Sequence, residues 1–235
     1  MFESEPRIIE PRSLVWDVVE VLTREIQTGE IPPGERMMPG RLAKRLDVSQ
    51  TPIREALRTL EMQGLVTIDR RSTYAAELSA ESVLDLYRLR GLIECDAARI
   101  SVTNQTQHHI NLAEEAYNRL QFEAAHPYSE KFWTAHRDFH WSIYQSGSKS
   151  DWTKRLLNMI WREVERYVTI SIRTSGNFST SEHFDIAMNE HSEIFNRFAA
   201  SDADGLVEVI DRHLLRTAQS VEQSLQERKT LKADF

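Results

Sequence analysis

Four of the eight histidines in this 235-residue chain have spacings that suit a metal ion. His136 and His140 stand four apart, so on a helix their imidazoles project from one face, one turn from each other. His191 and His213 each sit beside an apolar stripe, Ile194 and Phe198 for the first and Val209, Ile210 and Leu214 for the second. Three helices could therefore converge on one cation. Zinc, nickel or a similar borderline divalent ion accepts neutral imidazole nitrogen at about 2.0–2.1 Å, and cytoplasmic pH supplies the neutral form. Inward histidines satisfied by hydrogen bonds would show the same spacing, and spacing alone leaves both readings open.

Arg90 and Glu94 lie one turn apart, an arrangement that by itself reads as a surface ion pair worth about 0.3–0.5 kcal/mol. Cys95 follows among Ile93, Ala97 and Ala98, the setting of a buried structural thiol. As the single cysteine it cannot form an internal disulfide.

A different chemistry is written between Leu42 and Ile68, LAKRLDVSQTPIREALRTLEMQGLVTI. Leu42, Ala43 and Leu46 give a first helix its apolar stripe, Asp47-Val48 interrupts it, and the Ser49 hydroxyl can cap a second helix. Ile53, Ala56, Leu57, Leu60 and Met62 continue at helical spacing, which leaves Gln50, Thr51, Arg54 and Arg58 on the other face. Pro52 falls in the first turn, where a missing N–H costs little, and Gly64 ends the helix before a β-branched run. A hairpin of Leu65 to Asp69 and Thr73 to Leu78, turning at Arg70-Arg71-Ser72, completes a winged helix-turn-helix. In that unit the second helix lays its N-terminal residues into the major groove. Residues 36–71 carry eight Lys/Arg against four Asp/Glu, the local basic face that phosphate contact requires. The candidate DNA contacts are Arg41, Ser49, Gln50, Thr51, Arg54 and Arg58, with Arg70 and Arg71 at the wing.

The elements that carry these residues are almost all helical. A helix is expected at about Leu14 to Thr28, and the boundary after the wing falls near Leu78-Ser79, where Ser79 can cap a long helix. Helical apolar spacing then recurs at roughly 80–103, 106–125, 129–146, 151–173, 181–200 and 203–226. The expected fold is therefore mainly α: a winged helix-turn-helix domain over residues 1–78, then an all-α bundle of about six helices over 79–235. The polar stretch Arg173 to Ser181 reads as a loop, and the tail after Gln226 as frayed.

Composition narrows the function classes. With 40% hydrophobic and 28% charged residues the chain has the make-up of a soluble two-domain protein. No stretch is apolar enough to span a bilayer and no signal-peptide pattern opens the sequence, so a cytoplasmic location without membrane contact is expected. The net charge of −7 argues against nonspecific nucleic-acid coating and confines DNA contact to one patch. A purely architectural DNA binder fails on the same charge and on the size of the second domain. The catalytic alternative, a metalloenzyme with a DNA-binding appendage, lacks paired Glu-x-x-His ligands, a His-Glu-x-x-His motif, a nucleophile elbow and a Gly-rich phosphate loop.

Gly29 to Met37 (GEIPPGERM), Leu42 to Leu57 (LAKRLDVSQTPIREAL) and Glu61 to Ile68 (EMQGLVTI) resemble the GntR family of bacterial transcription regulators. Leu86 to Ser101 (LYRLRGLIECDAARIS), Asp138 to Ser148 (DFHWSIYQSGS) and Glu190 to Leu214 (EHSEIFNRFAASDADGLVEVIDRHL) are similar to the ligand-binding FCD domain of its FadR-type branch. The resemblance implies a non-enzymatic homodimer whose winged domains read a palindromic operator, most simply as a repressor. Binding of a small organic acid in the helical domain would control operator affinity. In metal-binding members the ligands are an acidic residue four before the first histidine, that histidine, the one after a glutamate and one on the last helix. Those positions here are His136, His140, His191 and His213, and zinc is the first candidate. An Arg in the pattern occupied by Arg90 would hold the effector carboxylate.

The departures are as informative. Pro39-Gly40 stands where the family usually has an acidic residue and Arg, Gln50 where it has Arg, and Ser72 where it has a wing-tip glycine. Gln pairs bidentately with adenine while Arg prefers guanine, so an operator unlike the family consensus is expected. His136 stands where the family has an acidic ligand: either it completes an all-imidazole site, which leaves the full charge of a divalent ion uncompensated and favours an anionic ligand beside it, or it turns away and His140, His191 and His213 hold the metal. Asp138, two residues along, points about 160° away from His140 and cannot serve the same ion.

Overall fold

The structure is a computed structural model that describes residues 14–69, 72–147, 151–174 and 181–233. The chain divides into two compact units, Met1–Glu77 and Leu78–Phe235.

In the first unit α1 (Leu14–Thr28), α2 (Pro39–Leu46) and α3 (Gln50–Met62) precede a two-stranded antiparallel sheet of β1 (Val66–Asp69) and β2 (Ser72–Ala75). The register pairs Val66 with Ala75 and Asp69 with Ser72. Its core is made by Leu22 and Ile26 of α1 against Ile53, Leu57 and Leu60 of α3, all essentially without solvent contact. Asp47 takes the left-handed conformation at the turn between α2 and α3, a geometry that Asp tolerates better than most residues. α3 ends in a Schellman motif: Gly64 adopts φ +74°, its N–H donates to the Glu61 carbonyl (2.9 Å), and the Leu65 N–H donates to the Leu60 carbonyl (3.0 Å).

Three expectations are corrected in this unit. Ser49 has the extended backbone of a helix cap, but its hydroxyl makes no capping hydrogen bond. Met62 is 81% exposed and lies off the apolar stripe, because α3 closes at that residue and its side chain clears the core. The second wing strand stops at Ala75 instead of continuing to Leu78. Residues 34–37 supply further pairing that the spacing did not show: the Met37 N–H donates to the Thr73 carbonyl (2.8 Å) and the Ala75 N–H to the Glu35 carbonyl (2.9 Å).

Among the described residues the second unit contains six helices and no strand: α4 (Ala80–Asn104), α5 (Gln107–Glu123), α6 (Glu130–Tyr144), α7 (Asp151–Thr174), α8 (Ser181–Ala199) and α9 (Ala203–Ala233). Side chains start three of them. Ser79 Oγ accepts from the Ser82 N–H (2.9 Å), Ser129 Oγ from Phe132 (3.1 Å) and Asp202 Oδ1 from Gly205 (3.0 Å), each satisfying an N–H that has no partner within its helix. The core gathers Leu120, Phe139, Tyr144, Leu157, Ile194, Phe198 and Leu206, all fully buried. A short 3-10 turn at Gln145–Gly147 packs against α4, where Ser101 Oγ donates to the Ile143 carbonyl (2.5 Å).

α9 continues as helix to Ala233, so the tail after Gln226 is not frayed as expected; helical hydrogen bonding carries on through its polar sequence. The expected loop Arg173–Ser181 falls for the most part outside the described residues, with α7 reaching Thr174 and α8 beginning at Ser181. Cys95 is half-buried, less enclosed than its apolar neighbours in sequence imply, because it lines a groove between α4 and α9. No described helix is long and apolar enough to cross a membrane.

Candidate functional site

The second unit brings His136 and His140 from α6, His191 from α8 and His213 from α9 into one cluster, with one nitrogen of each lying within 4.8 Å of the others. Nε2 of His140 faces Nε2 of His191 at 3.1 Å. The ring centroids of His136 and His140 are 4.5 Å apart, and those of His191 and His213 4.8 Å. Two nitrogens on one tetrahedral ion at about 2.1 Å stand about 3.4 Å apart, so the set fits a borderline divalent cation once its longest separation closes by about 1.4 Å, within reach of rotation of the rings. Burial holds His136, His140 and His191 well below the ordinary imidazole pKa, the neighbouring histidines and Arg90 pushing in the same direction. These three imidazoles are therefore neutral and able to donate lone pairs. His136 is turned in with the other three; its remaining exposure faces a cavity that it lines.

Outer groups fix the rings. Glu190, next in sequence to His191, instead meets Nδ1 of His213 at 2.7 Å and also accepts from Arg216, which leaves the other nitrogen of His213 for the cluster. Burial would raise the Glu190 carboxyl, but the hydrogen bond and charge of His213, with Arg216, outweigh it and hold the group below its usual range. Nδ1 of His140 lies 3.3 Å from Tyr144 Oη, and Tyr144 donates to Glu94 Oε2 (2.9 Å). Nδ1 of His191 has no well-aligned hydrogen bond, and the Ala187 carbonyl one turn back lends only weak support.

Glu94 is the hub of this outer layer. It accepts from Arg90 Nε (2.8 Å) on its own helix, Tyr144 on α6 and Trp161 Nε1 (2.7 Å) on α7, and is completely buried. Arg90 is 2% exposed, so the pair is not the surface ion pair that i, i+4 spacing implies. Burial disfavours the Arg90 cation, and the Glu94 carboxylate more than offsets this, keeping it charged. Tyr144, Trp161 and Glu190 were not among the sequence candidates, and Glu94 entered only as the i, i+4 partner of Arg90. Glu190 had a local signal, its place before His191; Tyr144 and Trp161 reach Glu94 across 50 and 67 residues of sequence.

A cavity beside the cluster is lined by His136, His191 and His213, by Arg90 and Arg216, and by several aromatic rings. Its volume of about 80 Å³ is several times the roughly 10–15 Å³ that one water needs. Asp138 points elsewhere, pairing with Arg119 at 3.4 Å, as the helical geometry required.

In the first unit Arg41, Ser49, Gln50, Thr51, Arg54 and Arg58 are all exposed, on α2, at the cap and along α3. Arg54 donates to Gln50 Oε1 at 3.4 Å. Gly40 and Gln50, two of the departures noted above, adjoin: a methyl placed on Gly40 would lie 3.5 Å from the Gln50 amide nitrogen. Arg45 is held by Glu25 at 2.5 Å, and Arg36 donates to Ser72 Oγ at 3.0 Å. Arg70 and Arg71 lie outside the described residues.

Comparison with known proteins places both units. Residues 14–74 match the bacterial regulatory proteins of the gntR family, and residues 85–216 match the FCD domain. The chain is 29% identical over 227 residues to the HTH-type transcriptional regulator BphR of Paraburkholderia xenovorans LB400, covering 90% of this chain and 86% of that protein. It is 23% identical over 212 residues to the HTH-type transcriptional repressor RspR of Escherichia coli K12, covering 89% and 90%. Among solved structures, E. coli McbR/YncC shares the fold at 19% identity, with a TM-score of 0.68 over 91% of this chain and 99% of that one. The two relatives are named as regulators of transcription, and a GntR-type helix-turn-helix binds DNA. With an exposed polar face on α3 and a buried histidine cluster in the helical unit behind it in sequence, the chain belongs to the GntR family of transcriptional regulators, in the branch that carries an FCD domain.

Proposed function

We propose that this regulator is a zinc-containing homodimer that represses transcription from a palindromic operator and changes its operator affinity when a small organic acid occupies the cavity of its helical unit. The observation that carries the reading is the convergence of four imidazoles from three helices beside a cavity walled by two arginines. His136, His140, His191 and His213 would hold the cation. Bound there, a divalent ion would supply an electrophilic, positively charged face for a carboxylate; nickel or another borderline ion would serve in the same way. Glu190 orients His213, Tyr144 orients His140, and Arg216 stands at the cavity wall as a partner for an acid. Arg90 also reaches that wall, but with its Nε and one terminal nitrogen on Glu94 it offers only part of its guanidinium to a ligand.

On the DNA side, Ser49, Gln50, Thr51 and Arg54 at the start of α3 would meet base edges, while Arg41, Arg58 and the wing arginines Arg70 and Arg71 would meet phosphates. A dimer makes half-site spacing a geometric constraint, so a modest rotation between its winged units breaks several contacts together.

Metal analysis of the purified chain tests the centre: about one divalent ion per chain in the wild type and near none in His140→Ala. Full retention in the variant rejects it. Operator release by carboxylates, followed by gel shift, tests the sensor; release without consumption of the acid separates a regulator from an enzyme.

A further inference from the structure

The cavity beside the histidines is lined by Arg90 and Arg216 and by a continuous set of rings, Tyr128, Phe132, Trp133 and Phe184, with centroids 5.4 Å apart for Phe132–Trp133, 5.5 Å for Tyr128–Phe184 and 5.6 Å for Phe132–Phe184, and the His136 ring lies 5.5 Å from Trp133. Core packing accounts for Phe132, which is 3% exposed. The other three pack at the edge of the same core, where they are only half-buried and also line the cavity. Aromatic cages also attract cations. Here the guanidinium N–H groups of Arg90 and Arg216 on the same cavity wall favour an anion over a cation, and an anion with a flat apolar body matches both the donors and the rings.

Two donors on the cavity walls also lack partners. Trp133 Nε1 is buried without an acceptor, and Tyr87 Oη lies beside Arg90 without a hydrogen bond of good geometry. Tyr87 is 4% exposed, and buried polar groups left unpaired are uncommon in native proteins.

We propose that the ligand of this cavity is an aryl carboxylate, its acid at Arg216 and the histidines and its ring against Tyr128, Trp133 and Phe184. The inference rests on the carboxylate-sensor reading above and narrows it from any organic acid to one with an aromatic body. Isothermal titration of the zinc-loaded full chain with benzoate and phenylacetate, against acetate and cyclohexanecarboxylate, tests it. The aryl acids bind at least about tenfold more tightly than acetate and measurably better than the saturated ring. Phe184→Leu, which keeps apolar bulk, weakens the aryl acids by about tenfold and leaves acetate within twofold; Trp133→Leu gives the same pattern should the first variant fold poorly. Equal affinity for acetate and benzoate, or for the saturated and aromatic rings, overturns the aryl assignment and leaves the sensor reading standing. Binding of none of the four acids overturns both.

Discussion

Glu94 shows how much one side chain can carry. It is completely buried and accepts hydrogen bonds from Arg90, Tyr144 and Trp161, so its removal strands a charged guanidinium and two neutral donors in the interior. Glu94→Ala is expected to destabilise the chain by about 3–5 kcal/mol, because breaking a buried pair from one side leaves an uncompensated charge. Chemical denaturation checks this, and a loss under 1 kcal/mol contradicts the buried network. Cys95 makes the opposite kind of claim. Burial, followed by the nearby Asp211 and Glu94 carboxylates, pushes its thiol up to about 12. At pH 8 the thiolate is then scarce, and iodoacetamide should react on the order of a thousandfold more slowly than with a free cysteine of pKa about 8.5. Its rate should still climb between pH 9 and 11, since the reactive form grows as pH rises toward the raised pKa; a plateau by pH 9.5 would refute the shift. At Gln50, adjoining Gly40, substitution by Arg is expected to move base preference from adenine toward guanine in a selection from random DNA. An unchanged operator would show that Gln50 reads no base.

At the scale of elements, periodicity made much of the molecule legible. The first helix and the six of the second unit have the expected order and type, because each buries one apolar stripe and most are bounded by residues that cap or break helices. What stayed hidden was the burial of polar faces. Arg90 and Glu94 have the same i, i+4 spacing on a surface as in a core, and only the long-range arrival of Tyr144 and Trp161 distinguishes the two. Residues 34–37 beside β2 were also missed, since a single extended segment of four residues is too short to show alternation. The packing of the Gln145–Gly147 turn on α4 is similarly silent in sequence. A methyl on Gly147 would lie 2.5 Å from the Ala97 carbonyl oxygen and 2.9 Å from the Ser101 nitrogen, both backbone atoms that cannot turn aside. Gly147→Ala should therefore cost about 1–3 kcal/mol by thermal or urea unfolding, as overpacking does. A variant as stable as the wild type would mean that the contact is looser than it looks.

For the molecule as a whole, charge decides how it meets DNA. The chain is acidic at −7, with a local basic excess confined to residues 36–71, so nonspecific affinity should be weak and strongly salt-dependent. Arg58→Ala should lower the slope of log affinity against log salt by about one if Arg58 touches a phosphate, with similar loss on all sequences. Loss confined to one base position would reassign it to base reading. The site was only partly legible at this scale. The four histidines could be named from spacing, whereas the second layer that aims them required three helices to meet. That layer gives α4 a role beyond scaffolding. Tyr87, Arg90 and Glu94 stand on the same helix that starts at Ser79, immediately after the first unit ends. Eight residues of helix separate that cap from Tyr87, about 12 Å. Tyr87 and Arg90 line the cavity, so the helix that begins where the first unit ends also forms the cavity wall, little more than two turns from its own cap.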